Sequence, residues 1–178
     1  MGRKDKSKRL AYLLRHDTEY KFAKGGWREV NDLVRNHKYT KEELEDIVVQ
    51  DDKGRYEFSK DHNKIRATQG HSVNVDVELE IMDPPDILYH GTASRFLDSI
   101  KEKGILRMSR LYVQLSKNIK TAEQVGARHG KPIILPIDTK RMKEDGVVFK
   151  HSRNGVWMTD HVDPVYIKFD EIIYGNEQ

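Results

Sequence analysis

Four short words of this sequence set arginines and histidines among apolar or glycine-bearing neighbours: Leu13-Leu14-Arg15-His16, Ile65-Arg66-Ala67-Thr68-Gln69-Gly70-His71-Ser72, Leu88-Tyr89-His90-Gly91-Thr92 and Met108-Ser109-Arg110. Arginine offers a planar fork of N–H donors that matches phosphate oxygens in bidentate pairs. Histidine can donate, accept or carry a proton near neutral pH. Such residues suit a phosphate. Each word also has a plainer reading. Arg15 and His16 fall at the end of a helical run, where two cations complement the partial negative charge of a helix C-terminus. Because Leu14 comes directly before them, one of the pair must lie near the edge of the core. Arg66 sits in a strand-like run and could be an outer-face residue. The following Gln69-Gly70-His71 contains a glycine that would let a backbone approach a ligand closely. His90-Gly91-Thr92 is expected just beyond an apolar strand, where an imidazole, a glycine and a hydroxyl can grip a ribose or phosphate. The same three residues would serve an ordinary strand-to-helix turn, and Arg110 before a strand fits a simple loop.

Several other chemistries are excluded. The 178 residues contain no cysteine, which rules out disulfides and thiolate metal sites and is compatible with a cytoplasmic location. The eight histidines show no paired spacing suited to zinc, so no metal is expected. There is no P-loop, no G-x-G-x-x-G, no nucleophile elbow and no H-E-x-x-H. No apolar run approaches the roughly 20 residues that span a bilayer, and Met1 to Arg9 is basic without a signal-type apolar stretch behind it. A soluble monomer without membrane contact is expected. The net charge of +3 does not indicate a general nucleic-acid coat. The charge is uneven, however: residues 1–41 hold 12 Lys and Arg against 5 Asp and Glu, whereas residues 42–52 hold six acids and no base. A basic front end suits an anionic partner or a solvated helix face.

The elements that must position these residues follow from periodicity. Ser7 to His16 reads as a helix, with Leu10, Leu13 and Leu14 on one stripe. A second helix after Gly25-Gly26-Trp27 carries Val30, Leu33 and Val34. A third begins at Thr40, where Thr40 and Glu43 form a capping box, and continues through Leu44, Ile47 and Val48. After the turn signal at Asp52-Lys53-Gly54, Arg55 to Phe58 and then Lys64 to Thr68 read as short strands. Three helices followed by a hairpin is the order of a winged-helix module. Val73, Val75, Val77, Leu79 and Ile81 alternate like a strand, and Asp83-Pro84-Pro85-Asp86 interrupts any regular element. The expectation is an α+β protein with an N-terminal winged-helix lobe at 1–82 and a β-rich lobe at 87–178. In the second lobe, strands are expected at Ile87–His90, Leu111–Leu115, Ile133–Ile137, Val147–Phe149, Gly155–Met158 and Val165–Phe169. Helices are expected around Phe96–Ile100, ending near Gly104, and at Thr121–Arg128.

Taken in order, these words resemble the NAD-dependent RNA 2′-phosphotransferases. The resemblance runs from about Ser7 to Tyr166 and includes Gly26-Trp27, Ala127-Arg128-His129-Gly130 and Asn154-Gly155-Val156-Trp157. It implies an RNA-binding winged-helix lobe and an ADP-ribosyltransferase-like lobe that takes NAD⁺ as co-substrate, without a metal. It implies removal of an internal RNA 2′-phosphate, of the kind left at a tRNA splice junction, through an RNA-2′-phospho-ADP-ribose intermediate. The products would be 2′-OH RNA, ADP-ribose 1″,2″-cyclic phosphate and nicotinamide. The family's catalytic set falls on Arg15, His16, Arg66 and Arg110. Contact with RNA falls on Arg15, His16, Arg66, Gln69 and His71, and contact with NAD⁺ on His90, Gly91, Thr92, Ser116, Arg128, His129 and Gly130. Trp157, in a strand, reads as core rather than as a stacking platform.

One departure stands out. Where the family commonly shows a His-x-His-Leu-Ser strand, this chain has Tyr112-Val113-Gln114-Leu115-Ser116. Tyrosine and glutamine hydrogen-bond, and tyrosine stacks, but neither carries a proton near pH 7. Two rival readings follow from that exchange and from the resemblance. One is an ADP-ribosyltransferase that leaves its adduct on a nucleic-acid terminal phosphate or on a protein. The other is a winged-helix nucleic-acid binder without catalysis.

Overall fold

The structure is a computed structural model that describes residues 2–175. Met1 and Gln178, the outer limits of the two expected lobes, lie outside the described residues. The protein is α+β and divides into two compact units that meet at Leu79 and Glu80.

The first unit begins with helix α1 (Arg3–Arg15), four residues earlier than the apolar stripe announces, because the Gly2 carbonyl accepts the N–H groups of Asp5 and Lys6. Leu10, Leu13 and Leu14 form its buried stripe as expected. Strand β1 (Arg28–Glu29) leads directly into α2 (Val30–His37), which stops at Lys38 in the left-handed conformation (φ 61°). Helix α3 (Lys41–Val49) starts with both halves of the capping box: Glu43 N–H donates to Thr40 Oγ1 and Thr40 N–H to Glu43 Oε2, each at 3.1 Å. Strands β2 (Tyr56–Phe58) and β3 (Lys64–Ala67) form the expected hairpin, and β1 adds to its other side in the antiparallel order β1-β3-β2. At two residues, β1 is too short to show a period. The core gathers Leu10, Leu14, Leu33, Leu44, Ile65 and Ala67, all fully buried.

The expected strand over Val73–Ile81 does not form. Only Glu80–Ile81 (β4) pairs, with β9 (Lys150–His151) of the second unit, and Val77 is the buried residue among the earlier valines. Hydrogen bonds instead tie this stretch to turns: Gly25 N–H to Asp76 O at 2.6 Å, and Ser72 and Val73 N–H to Arg15 O at 3.0 and 3.3 Å.

The second unit is built on β5 (Ile87–Ala93), which pairs along its whole length with β8 (Pro132–Asp138), with β12 (Ile173–Tyr174) on the other side of β8. Ile133, Ile134, Leu135 and Ile137 of β8 are all fully buried, which explains why this strand reads as an unbroken apolar run rather than an alternation. A second sheet, in the order β4-β9-β10-β7, uses β7 (Val113–Leu115) and β10 (Trp157–Thr159). Paired backbone hydrogen bonds between Tyr89 and Ser116 link β5 to the exit of β7. Short strands β6 (Ile105–Leu106) and β11 (His161–Val162) pair with each other. Helices α4 (Leu97–Lys103, ended at Gly104), α5 (Ile119–Ala127) and α6 (Thr139–Glu144) complete the unit. Trp157 is 5% exposed and belongs to the core.

Three expectations are corrected here. His90-Gly91-Thr92 lies inside β5, not beyond it, since its register with Leu135, Ile134 and Ile133 continues to Ala93. Val147–Phe149 is not a strand, although Phe149 is buried. Val165–Phe169 is not one either: Asp163 caps a 3₁₀ turn at Pro164–Tyr166 by accepting Val165 N–H at 3.1 Å, and the fixed proline φ suits that turn. No helix among the described residues is long and apolar enough to cross a membrane.

Candidate functional site

In the first unit the candidate residues gather where the end of α1, the Gly25-Gly26 turn and the exit of β3 meet. A helix leaves its last carbonyls without intrahelical partners, and here those of Tyr12, Leu13 and Arg15 are engaged. His16 N–H returns to Tyr12 O at 2.8 Å, Arg28 Nη1 donates to Leu13 O at 2.8 Å, and Ser72 and Val73 take Arg15 O. Arg15 and His16, both half-buried, are thus held at a helix end fixed from three sides. The His16 ring is oriented by Ser72, whose Oγ lies 2.7 Å from Nδ1. Gln69 and His71 are 8% and 1% exposed. His71 packs on Gly26, where an added Cβ would come within 3.1 Å of its Nε2.

Arg66 alternates with fully buried Ile65 and Ala67 and therefore points to the other face of β3. Its guanidinium is caged. Nε and Nη2 both lie 2.5 Å from Glu57 Oε1, Nη1 donates to Gly25 O at 3.1 Å, and Glu78 Oε2 is 3.5 Å from Nη1. The Trp27 ring lies under Cζ at 4.4 Å.

The arginine that supports this arrangement from behind is Arg28, 2% exposed. It binds Asp17 Oδ2 at 2.7 Å, Asp32 Oδ2 at 2.7–2.8 Å, Leu13 O and His37 Nε2, and stacks on Tyr20 at 4.0 Å. Because a guanidinium only donates, His37 Nε2 is the acceptor. Burial would raise the Asp32 pKa, but the hydrogen bonds from Asn36 and Arg28 outweigh it and hold the carboxyl below its ordinary value.

In the second unit, His90 and Thr92 alternate with Gly91 along β5. The glycine serves packing: a Cβ there would stand 1.6 Å from Ala122 O of α5, and one on Gly126 would stand 2.7 Å from Thr92 O. The two glycines let α5 lie directly on the strand. His90 Nδ1–H donates to Gln114 O at 3.3 Å, which fixes the tautomer and makes Nε2 the acceptor. Burial lowers its pKa to about 4, against the opposing effect of the Gln114 bond and assisted by the nearby His129. His90 is therefore neutral at physiological pH. Desolvation, then repulsion from Arg128, also lowers the Arg110 pKa. Arg110 is thus close enough to Arg128, and His90 to His129, for charge to act within each pair. Arg128, His129 and Gly130 form the exposed end of α5, and the Ser116 hydroxyl is occupied in the turn that starts α5, donating to Asn118 O at 3.1 Å. Among the described residues no group of His, Cys, Asp or Glu could hold a metal ion.

A cluster of arginine forks and an oriented imidazole in one unit, with an acceptor histidine and paired cations in the other, is chemistry for phosphates and a ribose. The sequence profile of the RNA 2′-phosphotransferase, Tpt1/KptA family matches residues 2–161. The chain belongs to this family. A probable RNA 2′-phosphotransferase of Acaryochloris marina is 45% identical over 168 residues, covering 90% of this chain and 93% of the relative. Proteins with the same description from Nostoc punctiforme (46% over 170 residues, 91% and 94%) and Streptomyces coelicolor (43% over 171 residues, 92% and 93%) are similarly related.

Within this RNA 2′-phosphotransferase family member, Tyr112 and Gln114 keep hydrogen-bonding roles. Tyr112 does so through its side chain, Oη accepting from Lys150 Nζ at 2.9 Å, whereas Gln114 does so through its backbone carbonyl, which takes the His90 bond and would be offered by any residue there. Sequence reasoning did not single out Lys150, Arg28, Glu57 or Glu78, and it named Ser72 and Trp27 only as members of longer words without a role of their own. Only Glu57 had a readable signal, since aligning the hairpin places it directly opposite Arg66. The others are joined by tertiary contacts that no local spacing announces.

Proposed function

We propose that this protein removes an internal 2′-phosphate from RNA by transferring it to NAD⁺, releasing nicotinamide and ADP-ribose 1″,2″-cyclic phosphate and leaving a 2′-OH. Family membership supports the class of reaction. The observation that carries the assignment of residues is the fixed end of α1, which holds Arg15 and His16 in one geometry through Arg28, Ser72 and Val73. On this reading the three-helix unit with its small sheet is a winged-helix RNA lobe, and the β-rich unit is ADP-ribosyltransferase-like.

NAD⁺, when bound, supplies an electrophilic ribose carbon with nicotinamide as leaving group. The donors of the second unit fit such a molecule. The His90 Nε2 lone pair accepts from a ribose hydroxyl, and Arg110 and Arg128 match a pyrophosphate. Arg15 and Arg66 orient the RNA phosphate and neutralise charge that builds on phosphorus. The phosphomonoester is mostly doubly ionised at neutral pH and needs no base for its own attack. His16, oriented by Ser72, handles the proton that a ribose hydroxyl gives up. His90, neutral throughout the working range, positions rather than transfers.

A short RNA with one internal 2′-phosphate, incubated with NAD⁺, tests this. Nicotinamide is expected in equal amount to the phosphate removed, and none with unphosphorylated RNA. Arg66→Ala is expected to lower turnover by about 10²-fold or more, the usual cost of removing one charge-stabilising donor. Absence of nicotinamide release refutes the proposal. Radiolabel from the ADP-ribose part of NAD⁺ that stays on the RNA would mark an ADP-ribosyltransferase instead.

A further inference from the structure

The cage around Arg66 is charged in an unexpected sense. Two carboxylates, Glu57 and Glu78, face one guanidinium. They do so differently. Glu57 is mostly buried, with 17% of its side chain exposed, and its Oε1 closes on the Nε–Nη2 edge at 2.5 Å. That contact fixes the direction of the side chain from the neighbouring strand. Glu78 is half exposed and approaches only Nη1, at 3.5 Å. Nη1 is half of the terminal fork, the edge that takes two oxygens of a phosphate in parallel.

The backbone holds Glu78 there. Its φ is +55°, a conformation that non-glycine residues adopt at some cost. Its N–H donates to Asp76 Oδ1 at 3.0 Å, and Asp76 O accepts Gly25 N–H at 2.6 Å. Gly25 O in turn accepts from Arg66 Nη1. Residues 76–78 are therefore latched to the Gly25 turn that Arg66 contacts, and the latch presents an anion to the guanidinium.

We propose that Glu78 is a built-in competitor for the RNA 2′-phosphate: its carboxylate stands at the terminal fork of Arg66, and the phosphate binds by displacing it. The inference rests on the assignment of Arg66 to that phosphate. Glu57 keeps the guanidinium aimed while Glu78 leaves, so the arginine does not have to be ordered anew. Competition also confers selectivity, because a dianionic phosphomonoester displaces a carboxylate more readily than the singly charged diester of the RNA backbone does.

The test is equilibrium binding by fluorescence anisotropy, with the full chain and without NAD⁺, so that nothing turns over. The probes are two RNAs of one sequence, with and without an internal 2′-phosphate. Wild type is expected to prefer the phosphorylated RNA. Glu78→Gln, which removes the charge and keeps the shape, is expected to tighten that RNA about fivefold, the size of one water-screened charge contact at about 4 Å. It should leave the unphosphorylated RNA within about twofold. Glu78→Gly, which also suits the positive φ, is expected to do the same and stands in should the glutamine variant fold poorly. Glu80→Gln, a nearby exposed carboxylate outside the cage, is expected to change neither RNA. A wild-type preference that both Glu78 variants leave unchanged or weaken overturns the competitor role alone. Equal tightening of both RNAs overturns it as well, since it reports net charge. No preference in wild type overturns the assignment of Arg66 together with it.

Discussion

In the first unit the candidate residues are held by charge and hydrogen bonds. Arg66 is held by Glu57 and by the face of Trp27, and the end of α1 by a fully buried arginine that has two aspartates of its own. In the second unit they are held by shape. His90 and Thr92 ride on a strand whose position is set by a helix backbone lying against Gly91 and by a neighbouring strand with no exposed apolar residue. On the proposed function, with the phosphate held by the first unit and the ribose by the second, the difference follows from what each must do. A unit that takes a phosphate needs several cations, and cations must be pinned by anions that can also yield. A unit that grips a ribose needs an acceptor at a fixed place, and packing supplies that without charge. The first design should therefore fail when a partner charge is lost and recover when the opposite charge is also removed. The second should fail when volume is added, with no charge change to restore it.

The largest effect is expected from Gly91→Ala. The new methyl group would stand 1.6 Å from the Ala122 carbonyl, and the obstacle is helix backbone rather than a side chain that could turn away. The strand and α5 must part, at a cost of about 4–5 kcal/mol, in the range of the most damaging single substitutions. Each unit contains one of the two tryptophans, Trp27 and Trp157. Urea unfolding followed by Trp157 fluorescence in a Trp27→Phe background should show the loss. The Trp27 transition, followed in a Trp157→Phe background, should move far less. Equal movement of both would show that the two units unfold together, and would end the separation drawn here.

Next in size is Arg28→Met, expected to destabilise by about 3–4 kcal/mol, because Asp17 and Asp32 lose the cation that balances them. The decisive variant adds Asp17→Asn and Asp32→Asn. If charge is what holds this site, the triple variant recovers at least half of the lost stability in the same denaturation experiment. If it stays as unstable as the single variant, the packing of Arg28 on Tyr20 matters more than its pairing, and the two units resemble each other more closely than their contacts suggest.

These contacts also explain what could and could not be read from the sequence. Devices confined to a few consecutive residues were legible. The Thr40–Glu43 capping box, the stripe of Leu10, Leu13 and Leu14, and the apolar run of β8 appear where their patterns place them. So does Trp157 in the core. Alternation alone misled at Val73–Ile81, because a period of two says nothing about whether a partner strand exists, and the backbone there bonds to Arg15 and Gly25. It misled again at Val165–Phe169, where Asp163 and Pro164 outweigh the β-branched residues. For the candidate site, the words that carry Arg15, His16, Arg66 and His90 could be found, but not what surrounds them. Glu78 and Ser72 reach their partners only after the chain has turned back on itself, and the purpose of Gly91 depends on a helix about thirty residues further on.

The smallest effect separates the units by pH. His90 stays neutral in the folded protein down to about pH 4, since burial disfavours its charged form, whereas in an unfolded chain it protonates near its ordinary value of 6.5. Between those two values the unfolded chain binds the extra proton, so stability falls as pH drops from about 6.5 to about 4, and above 6.5 the group contributes no slope. For a half-buried ring the loss is about 1–2 kcal/mol, less than the whole shift would give. His90→Gln should flatten that part of the Trp157 stability profile. In the first unit the comparable group behaves differently. Asp61, exposed and held by hydrogen bonds from Ser59 and Asn63, has its pKa lowered from 3.8 to about 2. Its depressed value means that its stabilising contribution is present above 3.8 and is lost only as pH falls from there toward 2. Acid titration should therefore weaken the second unit through His90 before it touches the first through Asp61. A Trp157 profile whose slope between pH 6.5 and 4 survives His90→Gln would show that some other group titrates there, and that the acceptor histidine is not kept neutral by its burial.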